Sequence, residues 1–329
     1  MFCDFQEKNI LITGGTGSFG RALTSILLRE HKPRKVAIFS RDELKQHEMR
    51  IGGDFDDPSL RWFIGDVRDK DRLQMAFKGI DIIIHAAALK QVDTGEYNPS
   101  EFIKTNVLGS QNVVEAAIHN SVEKVLLLST DKASSPINLY GATKLTADKL
   151  FVSSNYYGSL SGTRFSVVRY GNVLGSRGSV VPFFIKQRNE GNAFTITSPD
   201  MTRFSITLKE ACNFVIESIK MMKGGEIFVP KIPTIQIMDV LKAIDATRKI
   251  EVIGIRPGEK VHEEMISESD SRRSIELGDR LVILNQESDI SNYPNGKLLE
   301  ANSPYRSDTN KHRLTISEIR ELLKKEFGI

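Results

Sequence analysis

The spacing Gly14-x-x-Gly17-x-x-Gly20, directly after the apolar run Ile10-Leu11-Ile12, constrains this chain more than any other feature. A chain that leaves a buried strand, turns at once and enters a helix lying close on the sheet has no room for Cβ atoms at the turn. The same turn aims backbone amides and the positive end of the helix dipole at one point, where a pyrophosphate fits. Glycine spacing alone is a weak sign, because ordinary turns are rich in glycine. Here the flanking strand, the helix and the N-terminal position supply the context that the motif requires.

The first half of the chain keeps to that context. Val36-Ala37-Ile38-Phe39, Trp62-Phe63-Ile64, Ile82-Ile83-Ile84, Val125-Leu126-Leu127-Leu128 and Ser166-Val167-Val168-Arg169-Tyr170 are short and apolar, as strands buried on both faces of a parallel sheet must be. Amphipathic segments over 19–30, 42–51, 69–77, 101–119 and 139–155 alternate with them. The pattern predicts an α/β fold with a doubly wound parallel sheet over residues 1–170. A smaller C-terminal substrate-binding domain is expected over 171–329, with a segment near 204–222 returning to the sheet and a closing helix at 316–327.

Composition narrows the function. The 329 residues carry 45 Lys+Arg against 42 Asp+Glu, a net charge of +3 that gives no reason to expect nucleic-acid or membrane-surface binding. Apolar runs fall short of the ~20 residues a membrane helix needs. Two cysteines form neither a disulfide framework nor a zinc cluster, and no export signal is visible, so a cytoplasmic protein is expected. His85, His119 and His262 show no metal spacing and read as core or surface histidines.

The dinucleotide reading extends along the chain. An acid about 20 residues beyond the glycine loop would bind a ribose 2′-hydroxyl. Ser40 and Arg41 stand there instead, with Lys45 one helical turn later, a set suited to a 2′-phosphate and so to NADP. Asp42 and Glu43 read either as ribose ligands or as first-turn residues complementing the helix dipole. Asp66, beside Val67, either reaches an adenine amino group or caps a helix. Small Ala86 and Ala88 end the fourth strand and leave room for the cofactor backbone. In the loop itself Gly14, Thr16, Gly17, Ser18, Phe19 and Gly20 are the expected contacts.

The fifth strand ends in Thr130-Asp131-Lys132, and Tyr140 and Lys144 follow as an i, i+4 pair on one helix face. A nearby ammonium would lower the tyrosine pKa toward that of a working general base.

These features, with Asn106 and the stretches 40–46, 128–145, 169–184 and 254–263, resemble the extended short-chain dehydrogenase/reductase superfamily. Within it they are most similar to the inverting UDP-N-acetylglucosamine 4,6-dehydratases of pseudaminic acid biosynthesis, over about residues 8–265. Lys132, where many sugar-nucleotide dehydratases carry Glu, marks the subgroup. The resemblance implies a Rossmann fold, a tightly held NADP regenerated each turnover, a UDP-sugar substrate and a homo-oligomer, with Asn106, Tyr140 and Lys144 also near the cofactor. It gives Tyr140 the proton of the sugar 4-hydroxyl, Thr130 a hydrogen bond to the 4-oxygen, and protonated Asp131 the donation to the departing 6-hydroxyl. Lys132, kept neutral by the positive charge of Lys144 and the cofactor, takes the hydrogen at carbon 5. Lys90 and Asn172 then lie near the sugar nucleotide. Arg203 and Arg256 are phosphate clamps, Glu259 meets a ribose hydroxyl, and Val181 and Phe184 wall the uracil. The run after Lys90, Gln91-Val92-Asp93-Thr94-Gly95, is more polar than the family pattern. A UDP-sugar 4-epimerase and a non-catalytic NADP-sensing module are the other readings. The first has no need of an Asp-Lys pair, and the second would be expected to lose Tyr140 or Lys144.

Overall fold

Six apolar runs become six parallel strands in the computed structural model, which describes residues 5–175 and 180–329. They are β1 (Asn9–Thr13), β2 (Lys35–Ser40), β3 (Leu60–Ile64), β4 (Ile82–His85), β5 (Lys124–Thr130) and β6 (Arg164–Tyr170). Their spatial order is β3-β2-β1-β4-β5-β6. Every residue of β1 and β4 is buried, which is why they carry no polar alternation. The order reverses between β1 and β4, so a crevice opens at their carboxyl ends. Thr13 ties those ends together, its Oγ1 accepting from the amides of Ala86 at 3.1 Å and Ala87 at 3.2 Å.

The sheet continues past β6 with strands from beyond residue 222. Ile227–Pro230 adds in parallel, and Arg280–Ile283, Ser274–Leu277 and the short Lys297–Leu298 follow antiparallel. Helix Leu208–Met221, started by a Thr207/Glu210 capping box, returns from the second half to lie against helix Ser18–Ile26. A second core of Phe184, Phe194, Ile235, Leu241, Ile319 and Leu323 sits apart from the sheet. The closing helix Ile316–Phe327 covers it by packing on helix Ile237–Asp245.

Two helices depart from the regular period. The segment expected as one helix over 101–119 is Pro99–Phe102, a π-turn at Ile103–Leu108, and helix Gly109–His119. The helix from Ser18 likewise ends in a π-turn, Leu27–His31. Periodicity cannot reveal one extra residue per turn, and such turns recur at functional sites. Among the described residues no helix is long and apolar enough to cross a membrane. Residues 176–179 of the glycine-rich loop after β6 lie outside the described residues.

Candidate active site

Two cavities meet at the carboxyl ends of the strands, one of about 660 Å³ over β1, β2 and β4, the other of about 630 Å³ against the second core. Lys90, Gln91, Lys132 and Asn172 line both.

The glycine loop floors the first cavity. Gly14 has φ +68°, and a Cβ there would stand 2.9 Å from the Ala87 nitrogen. A Cβ on Gly20 would fall 2.5 Å from the Gly15 Cα, so the helix reaches the loop only because both residues lack one. No side chain caps helix Ser18–Ile26, and its first amides turn toward the cavity. Thr16, Gly17, Ser18, Phe19, Ala86, Ala88 and Val67 line it as well. The cradle matches a dinucleotide pyrophosphate in shape and in donors.

At the tip of β2 the ambiguity over acids resolves. Asp42 is the N-cap of helix Glu43–Ile51: it accepts from the Lys45 amide at 3.0 Å and pairs with Lys45 Nζ at 2.6 Å. Arg41 is left with a side chain 58% exposed at the cavity rim, 3.8 Å from Asp66. Ser40 is buried and its Oγ accepts from Gln46. Asp66 lines the cavity but caps no helix, since Asp69 caps Lys70–Ala76; its oxygens accept from the Arg68 amide and guanidinium.

Asn106 stands elsewhere than expected. The π-turn swings it toward the strand ends, where its Oδ1 accepts from the Leu89 amide at 2.8 Å and its Nδ2 donates to the Leu89 carbonyl and to Thr143 Oγ1. Both faces of the amide are committed to the loop carrying Lys90, and Asn106 does not line the cavity; Thr105 does.

The turn Asp131–Ala133 and helix Leu139–Ser153 carry the side chains expected to react. Asn138 caps the helix by accepting from the Gly141 amide at 2.7 Å. Lys144 donates to the Leu128 carbonyl at 2.7 Å, with its pKa lowered to about 8 by burial against the opposing pull of Asp148. Behind it Asp148 pairs with the buried Arg169 at 3.1 Å. Burial pushes Tyr140 up to about 12, opposed by the charge of Lys132 and a hydrogen bond with Thr130. The cation expected to ease Tyr140 was Lys144; in the structure Lys132 does so.

Asp131 is fully buried, its Oδ1 accepting from Thr130 Oγ1 at 2.8 Å and Lys132 Nζ at 3.1 Å, its Oδ2 without a hydrogen-bond partner. Burial, and then the nearby Glu263 carboxylate, raise its pKa and favour the protonated acid. For Lys132 the charge balance is the reverse of that expected. Burial disfavours its ammonium, but Asp131 and Glu263, each 3.1 Å away, outweigh burial and raise its pKa. Lys144 takes no part, because its ammonium is turned to Leu128.

Glu263 ends the stretch 254–263 that carries the resemblance, but nothing there gives it a role, because it is far from Lys132 in sequence and only the fold brings them together. Its neighbour Lys260 was missed too, and donates to the Ser134 carbonyl at 2.7 Å.

On the substrate side Arg256 is a half-exposed wall of the second cavity, 3.8 Å from Asp93, and Glu259 lies beside it. Phe184, although almost fully buried, reaches the lining; Val181 is inside the second core and does not, while Val180 and Phe183 do. Arg203 is not free to clamp a phosphate: its terminal nitrogens donate to the carbonyls of Thr202, Val261 and Lys260 at 2.8 Å each. His85 is a core histidine, bonded to Thr13 and Ser110, and His262 meets Thr202. Among the described residues no cluster of His, Cys, Asp or Glu could hold a metal ion.

Residues 10–285 match the model of a family described as polysaccharide biosynthesis protein. The chain is 48% identical to a Campylobacter jejuni UDP-N-acetylglucosamine 4,6-dehydratase (inverting), over 98% of this chain and 99% of that one. It is 42% identical to a Rickettsia canadensis UDP-glucose 4-epimerase over 97% and 96%. The solved structure of Pen from Bacillus thuringiensis superposes with a TM-score of 0.90 at 41% identity, covering 98% of this chain and 99% of that one. With this fold, this cradle and these matches over nearly its whole length, the chain belongs to the polysaccharide biosynthesis protein family.

Proposed function

We propose that this protein is a UDP-N-acetylglucosamine 4,6-dehydratase, inverting at carbon 5 and dependent on NADP. The observation that carries the reading is the contact set Thr130–Asp131–Lys132–Tyr140, in which Thr130 and Tyr140 line the first cavity, Lys132 lines both, and Asp131 lies buried just behind them. It brings together a hydroxyl to serve the sugar 4-position, a buried acid whose proton is favoured, and an amine beside it. An epimerase oxidises and reduces carbon 4 alone, and such an acid–amine pair would be idle in it. The near-complete match to the Campylobacter jejuni dehydratase supports the same choice.

In this reading the first cavity holds the dinucleotide, with Gly14, Gly17 and the amides of Ser18 and Phe19 on the pyrophosphate and Arg41 and Lys45 toward the 2′-phosphate. When bound, the nicotinamide would supply the temporary acceptor for the hydride of carbon 4 and give it back to carbon 6 once water has left. Tyr140 takes the 4-hydroxyl proton, and a cationic nicotinamide beside it would bring its raised pKa down. Asp131 donates its proton to the 6-hydroxyl, which leaves as water. Lys132 accepts the carbon 5 hydrogen after shedding its own extra proton. The second cavity takes the UDP, with Lys90, Arg256 and Lys260 as cations for the diphosphate and Phe183, Phe184 and Val180 beside the base.

The test is mass spectrometry and NMR of UDP-N-acetylglucosamine incubated with the protein and NADP in deuterated water. Loss of one water with one deuterium gained at carbon 5 is expected, with inversion read from the coupling constants. An unchanged composition with conversion to the galacto isomer would select the epimerase reading.

A further inference from the structure

Glu263 has no part in the roles assigned above, yet it is the closest charge to Lys132 after Asp131. It is 2% exposed, Lys132 Nζ lies 3.1 Å from its Oε1, and Arg203 Nε lies 3.6 Å from the same oxygen. Its Oε2 is buried with no hydrogen-bond partner. A carboxylate taken out of water is retained at a cost of several kcal/mol unless its partners offset it. Here the partners are the proposed base and an arginine that also secures the backbone on which Glu263 sits. Arg203 holds the carbonyls of Lys260 and Val261, and the Glu263 amide donates to Ser307 at 2.9 Å. The next residue, Glu264, accepts from the hydroxyls of Ser134 and Ser135 at 2.7 Å each. Residues 260–264 of the second half therefore grip the catalytic turn at Lys132, Ser134 and Ser135.

We propose that Glu263 is a positioning residue of the elimination step, holding the Lys132 amine against Asp131 and keeping it, by its negative charge, in the ammonium form until that proton is shed. This rests on the dehydratase reading. With Glu263 ionised, Lys132 is held as an ammonium and Asp131 as an acid; the pKa of Asp131 is raised in part by Glu263. For Lys132 to act as a base, its proton must move off. Burial would raise the Glu263 carboxyl, but the charges of Lys132 and Arg203 outweigh it and hold it below the usual carboxylate range, so Glu263 stays the counter-ion and the proton leaves Lys132 for water in the cavities that Lys132 lines. The charged and titratable groups facing Glu263 are Lys132 and Asp131 from the turn, Arg203 from strand Thr202–Ile206, and Lys260 on its own segment. His262 is turned to Thr202 and Glu264 to the two serines.

The experiment compares native protein, Glu263→Gln and Glu263→Asp with UDP-N-acetylglucosamine across pH, together with thermal unfolding and the Kd for NADP. Removing the carboxylate makes the Lys132 ammonium less stable, so its base form appears at lower pH. The expected result for Glu263→Gln is a kcat about a hundredfold lower, with KM and the NADP Kd within about twofold. Its ascending pH limb is displaced downward by about one unit or more. Glu263→Asp keeps the charge and withdraws it by one methylene, so kcat falls while the limb stays at the native pH. A limb at the native pH in folded Glu263→Gln overturns the proposal. So does native kcat in Glu263→Asp, which carries the test if the Gln variant does not fold. Native protein that epimerises without losing water removes the dehydratase reading, and the proposal with it; that failure is visible before any variant is made.

Discussion

Asp131 and Lys132 are neighbours in sequence, and the same burial acts on them in opposite senses. It keeps the proton on Asp131, so that an acid is there to donate, and, taken alone, would take the proton off Lys132 and leave a neutral amine. Only the carboxylates around Lys132 reverse the second effect. The pair was legible in the sequence because a strand end and an i, i+4 Tyr–Lys helix sit within a few residues of it. Glu263 and the backbone duties of Arg203 were not, because a charge type and a loop context do not say which carbonyls a guanidinium will meet. Arg41 is exposed at the cavity rim, and the structure relieves it of its acidic neighbour by making Asp42 a cap. Arg41→Ala is therefore expected to weaken NADP about ten- to a hundredfold, the worth of a charge-assisted contact, and to leave NAD within about twofold. Fluorescence titration with both dinucleotides checks it; equal losses would refute a 2′-phosphate contact.

Helix Leu139–Ser153 and the turn Asp131–Ala133 work as one unit. A Cβ on Gly141 would sit 2.2 Å from the Lys132 carbonyl oxygen and 3.0 Å from Pro136 Cβ, so the helix can lie on the turn only with glycine there. Gly141→Ala would gain helix propensity, worth up to about 1 kcal/mol, yet must push Tyr140 and Lys132 apart. We expect kcat to fall about a hundredfold with NADP affinity little changed, as steady-state kinetics beside dinucleotide titration would record. Strand positions were readable because burial on both faces leaves runs such as Ile82-Ile83-Ile84 without polar interruption. The broken helix around Asn106 was not, since the π-turn alters spacing without altering composition. Its effect is to put Asn106 on the Leu89 backbone and thereby fix the loop that presents Lys90 to both cavities.

At the scale of the molecule the sheet core is also a pH sensor of a simple kind. His85 is buried between β1, helix Gly109–His119 and Phe151, and burial, then Lys144, lower its pKa to about 3 from 6.5. Between those two values the unfolded chain binds the proton that the folded one refuses, so stability falls as pH drops through 6.5 toward 3. Urea unfolding at about pH 7 and about pH 5 is expected to show this as roughly 2 kcal/mol lost by native protein beyond the loss in His85→Gln. Equal losses in the two proteins would show that His85 is protonated in the fold.

The grip of residues 260–264 on the turn at Lys132 joins the two halves of the polypeptide at that amine. A ribosome that has released only the first half of this chain has already made the glycine cradle, Tyr140 and Lys144. It has not yet made Glu263, the second carboxylate of Lys132, nor the helix Leu208–Met221 that packs on the helix of the cradle. The Lys132 turn is thus complete only when the second half has been made and folded onto the first.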